Sequence, residues 1–248
     1  MSDAALVERI RAVLGGSDWV GEGYRKVWAR LRHEGACAAP RRVLRLMRQH
    51  GLLAPSRRGL PPGPRSHEGT VVTDRPDQMW AIDGTGCLTS EGNATIFVLI
   101  DHCTGECLGI HAARRGTRFE ALEPVRQAVR HVFGGFSKGI VGSELQLRHD
   151  HGSQFVSHAF QEEIAFLGIP SSPSFVRSPE GNGCVERFIR TLKEQLLWLR
   201  RFDTVAELLE ALQDFARRFN ESWILQRHRY LTPSQVRQRF LEQERLIA

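Results

Sequence analysis

Apolar residues recur at helical spacing through the first fifty residues of the chain. They predict three helices, at residues 3–14, 24–32 and 40–50. Pro40 suits the first position of the third helix, and a short polar turn containing Gly35 separates it from the second. Two helices joined by such a turn predict a helix-turn-helix, whose second helix enters the major groove of DNA.

The predicted third helix divides into an apolar face and a basic face. The inward positions are predicted to be Val43, Leu44 and Met47. The outer positions carry four arginines, Arg41, Arg42, Arg45 and Arg48. We predict that these arginines bind DNA, but the sequence does not separate contacts to base edges from contacts to phosphates. A small helical bundle with a charged surface is the alternative.

The pattern changes to extended segments after residue 70. QMWAIDGTG, ATIFVLIDHC and ECLGIHAA predict three antiparallel strands joined by short turns. A helix follows at residues 117–133, with an apolar stripe predicted to run from Phe119 through Leu122 and Val125. The rest of the chain then predicts a strand at residues 145–148, a helix at 157–167 and a strand in GIPSSPS. Three helices follow: a long helix with Glu186 in its first turn, a helix at 204–220 and a last helix capped by Thr232. This order is typical of an α/β domain.

Two segments interrupt the pattern. Residues 54–70 are rich in Pro, Gly and Ser and predict a linker, and FVRSPEGNG at residues 175–183 predicts a flexible loop. We therefore predict a helical helix-turn-helix region at residues 1–52, a linker at residues 53–70, and a core with C-terminal helices at residues 71–248.

Charge separates the same two regions. The chain has a net charge of +6, yet residues 1–68 hold 13 Lys and Arg against 6 Asp and Glu, and residues 69–248 hold 21 against 22. A basic front region with a nearly neutral remainder favours nucleic acid as the partner of the front. The five cysteines form no CxxC pair, no signal-peptide pattern opens the chain, and no apolar run approaches ~20 residues. We expect a cytoplasmic, nucleoid-associated protein and no membrane partner.

Three carboxylates are candidates for chemistry: Asp83 in a strand, Asp150 just after a strand, and Glu186 at a helix start. Thirty-five residues separate Asp150 from Glu186. Mg²⁺ prefers oxygen ligands and keeps several waters, so a few carboxylates can hold a pair of ions. Each residue also has an ordinary structural interpretation, as a turn residue, a helix cap or a partner of the helix dipole.

Several segments carry a family resemblance in their order along the chain. They are GYRKVWARLRHEG, RRVLRLMRQHGL, WAIDGT, DHGSQF, NGCVERFIRTLKEQL, FNESW and YLTPSQVR. Together they resemble the second-frame product of bacterial insertion-sequence transposases, within the retroviral-integrase superfamily. Asp83, Asp150 and Glu186 look like the DDE triad of that superfamily.

The resemblance implies a ribonuclease-H-like integrase core, a mixed five-stranded sheet with flanking helices. It also implies a DDE transposase that cleaves and transfers DNA strands by two-metal phosphoryl transfer. Two Mg²⁺ or Mn²⁺ ions would be held in each site, with Asp83 bridging them, Asp150 holding one and Glu186 the other. Double-stranded DNA, as element ends and target, and further copies of the chain on that DNA are the implied partners.

Further DNA contacts are expected beside the triad. Arg190 and Lys193 follow Glu186 at positions that share one helix face, where they could take phosphates. Gln154 is another candidate. His149 and His151 flank Asp150 as substrate contacts or structural residues, and not as metal ligands, because two-metal sites of this kind favour oxygen.

The sequence also departs from the family. Phe219-Asn220 is followed by ESWILQRHRYLTP, where relatives carry Arg-Pro-His, and less sequence precedes the helix-turn-helix than in many relatives. End recognition is therefore expected to need a helix-turn-helix protein from an upstream reading frame. Two other functions stay open: a catalytically silent DNA-binding regulator derived from a transposase, and a nuclease acting on RNA–DNA hybrids.

Overall fold

The computed structural model describes residues 1–55, 73–142, 144–174 and 182–247. Most of the predicted linker and of the FVRSPEGNG loop lies outside the described residues, so the domain boundaries at 52 and 70 stay predictions. The chain splits into two compact units. Among the described residues, one unit takes in residues 1–55 together with Ile224–Leu231, and the other takes in the rest.

The first unit is built from three helices, α1 (Asp3–Gly15), α2 (Tyr24–His33) and α3 (Pro40–Gln49). Their apolar faces bury Leu6, Ile10, Leu31 and Met47 in a common core. One predicted inward position is wrong: Leu46 is buried in α3, whereas Leu44 is only half-buried at the edge of the apolar face. The segment Ile224–Leu231 adds the ring of Tyr230, which meets Trp28 edge-on with 5.7 Å between centroids.

A five-stranded sheet forms the centre of the second unit, in the order β3-β2-β1-β4-β5. The strands are β1 (Met79–Thr89), β2 (Gly92–Asp101), β3 (Cys107–Ala113), β4 (Gln146–His149) and β5 (Ser171–Pro173). The first three pair antiparallel as a meander, while β4 pairs parallel to β1 and β5 parallel to β4. The sheet is therefore mixed, as predicted.

Helices flank this sheet: α4 (Arg118–Phe133), α5 (Ser153–Val156), α6 (His158–Leu167), α7 (Gly183–Leu192), α8 (Val205–Ser222) and α9 (Pro233–Ile247). The short α5 was not predicted. The predicted long helix from Glu186 also changes geometry, because α7 ends at Leu192 and a π-helical turn continues from Lys193 to Leu197.

The predicted apolar stripe of α4 is wrong at one position. The buried face turns towards Ala121, Pro124 and Ala128, which leaves Phe119 on the opposite side and 55% exposed. Close packing fixes this orientation. A Cβ on Gly109 of β3 would stand 2.2 Å from the carbonyl oxygen of Pro124, so only glycine lets the helix approach the sheet here.

Two contacts attach the C-terminal helices to the sheet. Asn220 of α8 accepts from the backbone N–H of Cys107 at 2.8 Å and donates to its carbonyl at 2.9 Å, so its amide completes the edge of β3. Arg237 of α9 forms ion pairs with Asp77, which precedes β1, and with Glu106, which precedes β3. Both contacts span more than a hundred residues of sequence.

None of the helices in the described part of the chain combines the length and the apolar character that a membrane crossing requires.

Candidate active site

Strand register brings Asp83 and Asp150 to the same level of the sheet. β1 and β4 run parallel, with Ala81 opposite Arg148. Continuing that register by two residues places Asp150 level with Asp83. Neighbouring parallel strands lie about 4.8 Å apart and residues at one level share a face, so the two carboxylates emerge on the same side.

The turn after β4 is shaped around the carboxylate of Asp150. The backbone N–H of Gly152 donates to Oδ1 of Asp150 at 2.8 Å. A Cβ at position 152 would stand 2.9 Å from that oxygen and 2.5 Å from Nε2 of Gln154. The glycine of the DHG sequence therefore leaves room for the carboxylate and for Gln154 beside it.

His149 holds the backbone of Asp150 in place through its imidazole ring. Its buried ring places Nδ1 2.6 Å from the carbonyl oxygen of Asp150 and Nε2 2.8 Å from the hydroxyl of Ser171. Because a carbonyl only accepts, Nδ1 carries the proton and Nε2 accepts from the serine. Burial lowers the pKa of His149, which favours this neutral form. His149 is thus a positioning residue, whereas the exposed His151 contacts the carbonyl of Ser174 at 2.8 Å.

Asn182 attaches the start of α7 to β1. Its buried side chain donates from Nδ2 to the carbonyl of Ile82, next to Asp83, at 3.3 Å. Its Oδ1 is buried and has no partner among the described residues. Four residues later, Glu186 lies in the first turn of α7. Asn182 was not among the predicted site residues, although asparagine is a preferred residue just before a helix.

The carboxylates are electrostatically coupled through Asp83. Burial raises the pKa of Asp83, and the negative charge of Asp150 raises it further, against the opposing effects of the Gly84 N–H and the Lys193 ammonium group. The pKa of Glu186 is also raised, first by desolvation and then by the charge of Asp83. Asp83 therefore neighbours both of the other carboxylates, and like charge accumulates here.

This donor set fits magnesium in type, since all three side chains offer carboxylate oxygens. Among the described residues, however, no three His, Cys, Asp or Glu side chains are close enough to hold one ion together. The coupling is pairwise, Asp83 with Asp150 and Asp83 with Glu186.

The residues predicted to contact DNA near the triad have different surroundings. Lys193 lies close enough to Asp83 to act on its charge. Arg190 is exposed and pairs instead with Glu194 at 3.1 Å. Gln154 lines a cleft of about 390 Å³ that also borders the start of α4.

The four arginines of α3 also divide into two pairs. Arg42 and Arg45 both bind the carboxylate of Asp3, with Nε of Arg42 at 2.8 Å and Nη2 of Arg45 at 2.7 Å. Arg41 and Arg48 have no ion-pair partner in the part of the chain that the structure describes. The side chains of Arg41 and Arg48 are therefore more available to an external anion than those of Arg42 and Arg45.

Known sequences match this arrangement in both units. Residues 73–179 and 167–233 match two families described as Integrase core domain, and residues 2–59 match an HTH-like domain. The chain is 30% identical over 202 residues to the transposase InsD of insertion element IS2A/D/F/H/I/K of Escherichia coli, covering 79% of the chain. The InsD transposase of IS2 on the F plasmid matches equally. The chain spans 65% of the length of these relatives.

Solved structures share the fold of the second unit. The HTLV-2 integrase catalytic core domain in complex with magnesium superposes with a TM-score of 0.50 at 20% identity, covering 66% of this chain and 98% of that one. A chain from the structure of the simian T-cell lymphotropic virus intasome in complex with PP2A regulatory subunit B56 gamma gives a TM-score of 0.56 at 20% identity, covering 84% of this chain and 73% of that one. The predicted ribonuclease-H-like integrase core is confirmed.

Proposed function

We propose that this chain, which carries an HTH-like domain followed by an integrase core domain, is a DDE transposase. It is homologous to the InsD transposases of element IS2. Its proposed substrate is double-stranded DNA, as the ends of a mobile element and a target. The proposed reaction cleaves a phosphodiester and joins the freed 3′-OH to a second strand. One observation carries this proposal: the carboxylates of Asp150, just after β4, and of Glu186, at the start of α7, both lie near that of Asp83 in β1, and like charge raises the pKa of Asp83 and of Glu186 in addition to burial.

Divalent metal ions are the proposed countercharge. Asp83, as the neighbour of both other carboxylates, would contact two ions, while Asp150 would hold one and Glu186 the other. Bound Mg²⁺ or Mn²⁺ would activate the attacking oxygen and neutralise charge on the leaving oxygen. The protein that matches in fold and carries magnesium is the HTLV-2 integrase core domain.

The surrounding residues keep the carboxylates in position. His149 holds the backbone of Asp150, Gly152 donates to its carboxylate, and Asn182 ties the Glu186 helix to β1. Such support matters because catalytic groups displaced by about 1 Å lose much of their effect. Lys193 would attract the scissile phosphate without competing for the metals.

The helix-turn-helix is proposed to hold element DNA through α3, with Arg41 and Arg48 contacting phosphates directly. Arg42 and Arg45 would first exchange their contacts with Asp3 for DNA. The proposed active assembly contains several copies of the chain on the nucleoid, because two element ends must be held at once. Completion of end recognition by an upstream-frame protein is part of the same proposal.

A strand-transfer assay tests the function. Oligonucleotides taken from the DNA that flanks this gene are incubated with Mn²⁺ and the wild-type chain, Glu186→Gln or Glu194→Gln. Glu194 lies on the π-helical turn after α7 and pairs with Arg190, so its variant is a matched loss of one carboxylate. We expect joined product from the wild type and Glu194→Gln, and a loss of about 10²–10³-fold or more from Glu186→Gln.

Binding without cleavage by any of the three proteins would instead favour a regulator that no longer cuts DNA. Equal transfer by Glu186→Gln and the wild type would remove Glu186 from the catalytic set.

A further inference from the structure

A groove of about 560 Å³ lies along the far half of β1, beyond the carboxylates. Residues 86–90, at the end of β1, form one wall, and the other is formed by Lys193, Leu197, Trp198 and residues 200–202. The walls are joined by hydrogen bonds: the backbone N–H of Ser90 donates to the carbonyl of Phe202 at 3.0 Å, and its hydroxyl donates to Asp203 at 3.0 Å. The groove is therefore built into the fold.

Its lining combines positive charge with an exposed aromatic ring. Three basic side chains line it, Lys193, Arg200 and Arg201, and none of its described lining residues is acidic. Trp198 is 69% exposed. An indole left open to water among cations is the combination that single-stranded nucleic acid uses, with bases stacked on the ring and phosphates on the cations.

The cations differ in their availability. Arg200 is partly engaged, since it pairs with Glu207 at 2.6 Å and lies over the ring of Phe202. Lys193 and Arg201 form no ion pair with any residue that the structure describes. Lys193 also acts on the charge of Asp83, and Gly86 of the lining follows Asp83 by three residues along β1, so the groove adjoins the candidate active site.

We propose that this groove receives an unpaired DNA strand leaving the candidate active site, with phosphates on Lys193 and Arg201 and one base stacked on Trp198. The proposal rests on the proposed function for the identity of the strand. It adds a surface that separates a DNA end from its complement, because a base inside a duplex is covered on both faces and can stack on Trp198 only after it unpairs.

A second copy of the chain is the competing occupant, since Leu88, Trp198 and Leu199 together expose apolar surface. In a symmetric dimer the same patch faces itself. That pairing would bring the cations of one copy towards those of the other, which is unfavourable. The charge of the groove therefore favours a polyanion.

Binding of a short single-stranded oligonucleotide carrying one 2-aminopurine tests the proposal, with EDTA present throughout. We expect the wild-type chain to quench the 2-aminopurine. Trp198→Ala should lose the quenching and bind about tenfold more weakly, as expected for one lost base–aromatic stack, while Trp198→Phe keeps most of both. Arg201→Gln should reduce the slope of log affinity against log salt by about 0.7, the value for one phosphate on a single strand.

Arg239→Gln is the matched control, because Arg239 is exposed on α9 and does not line the groove. Unchanged affinity and quenching in both Trp198→Ala and Arg201→Gln would overturn the proposal. A fall in sedimenting mass in Trp198→Ala, with DNA affinity kept, would assign the groove to a second copy.

The two proposals can fail separately. Quenching is measured in EDTA and does not depend on catalysis. Normal quenching together with a lack of strand transfer in Mn²⁺ would therefore contradict only the catalytic role. Normal dependence of transfer on Glu186, with no effect of Trp198 on binding, would contradict only the groove.

Discussion

Two groups of carboxylates lie in the second unit and differ in how their charge is balanced. Asp77, Asp101 and Glu106, with Arg237, form what we call the clasp. Asp101 is fully buried and accepts from the N–H and hydroxyl of Thr104, each at 2.7 Å. Arg237 lies 2.7 Å from Asp77 and also binds Glu106. Burial works against the charge of Arg237, yet the Asp77 hydrogen bond and the nearby carboxylates keep its pKa above the usual value.

The carboxylates of the candidate active site have no such cation. Burial raises the pKa of Asp101 as it raises that of Asp83, so burial alone does not separate the groups. The difference lies in the partners. Asp101 accepts hydrogen bonds from Thr104 and Asp77, and Asp77 is ion-paired with Arg237. Asp83 accepts from the Gly84 N–H and lies near the charges of Asp150 and Glu186, which Lys193 offsets only in part. Carboxylates that lie close together without an ion pair are candidates for a functional site.

The largest expected effect on stability is at the clasp. Replacing Arg237 by Ala leaves Asp77 and Glu106 without their countercharge in a mostly buried place. We expect the free energy of unfolding to fall by about 3–5 kcal/mol, measured by urea denaturation. Arg239→Gln, two residues further along α9 on its exposed face, should change it by less than about 0.5 kcal/mol. A small effect of Arg237→Ala would show that the clasp is not what stabilises this end of the sheet.

At the candidate active site we expect a substitution to raise stability, and by less than Arg237→Ala lowers it. The pKa of Asp83 and of Glu186 is raised from the ordinary values of 3.8 and 4.5. The folded state therefore binds more protons than the unfolded state above these values, so stability declines as pH rises through that window. Asp83→Asn removes one ionising group, and in EDTA its melting temperature should exceed that of the wild type by a margin that grows from pH 4 to pH 7.

The result would be reversed if Asp83 were ion-paired with a cation that lowered its pKa. Asp83→Asn would then melt below the wild type, and its deficit would grow as pH rises.

In α3, the same distinction between ion-paired and unpaired side chains predicts the smallest effect, a change in the salt dependence of DNA binding. Arg41 is free to contact phosphate, whereas Arg42 is held by Asp3, whose pKa the guanidinium groups of Arg45 and Arg42 lower. Arg41→Gln should reduce the slope of log affinity for duplex DNA against log salt by about 0.9, the value for one phosphate. Arg42→Gln should change the slope less. Equal slopes for both variants would mean that Asp3 releases Arg42 fully on binding.

Sequence predicted those parts of the site that depend on local pattern. Asp83 in a strand, Asp150 after a strand and Glu186 in the first turn of a helix lie where periodicity placed them. The helix at residues 204–220 was also predicted, because its apolar face lies within one segment; the structure adds that Thr204 caps it.

Contacts between distant segments were not predicted. Arg237 meets Asp77 across 160 residues, and Asn182 meets Ile82 across 100, so no local spacing reports either pair. The side of α4 that packs inward was misjudged at Phe119 because the position of Gly109 on a neighbouring strand decides it. Likewise, nothing local indicates that Ile224–Leu231 joins the N-terminal helices.

Mn²⁺ binding without DNA shows whether the carboxylates of the candidate active site hold a metal. Electron paramagnetic resonance of free Mn²⁺ can be followed as wild type, Asp83→Asn or Glu194→Gln is added. We expect the wild type and Glu194→Gln to take up Mn²⁺, and Asp83→Asn, which removes the carboxylate near both of the others, to take up little. Equal uptake by Asp83→Asn and the wild type would mean that Asp83 is not part of a metal site.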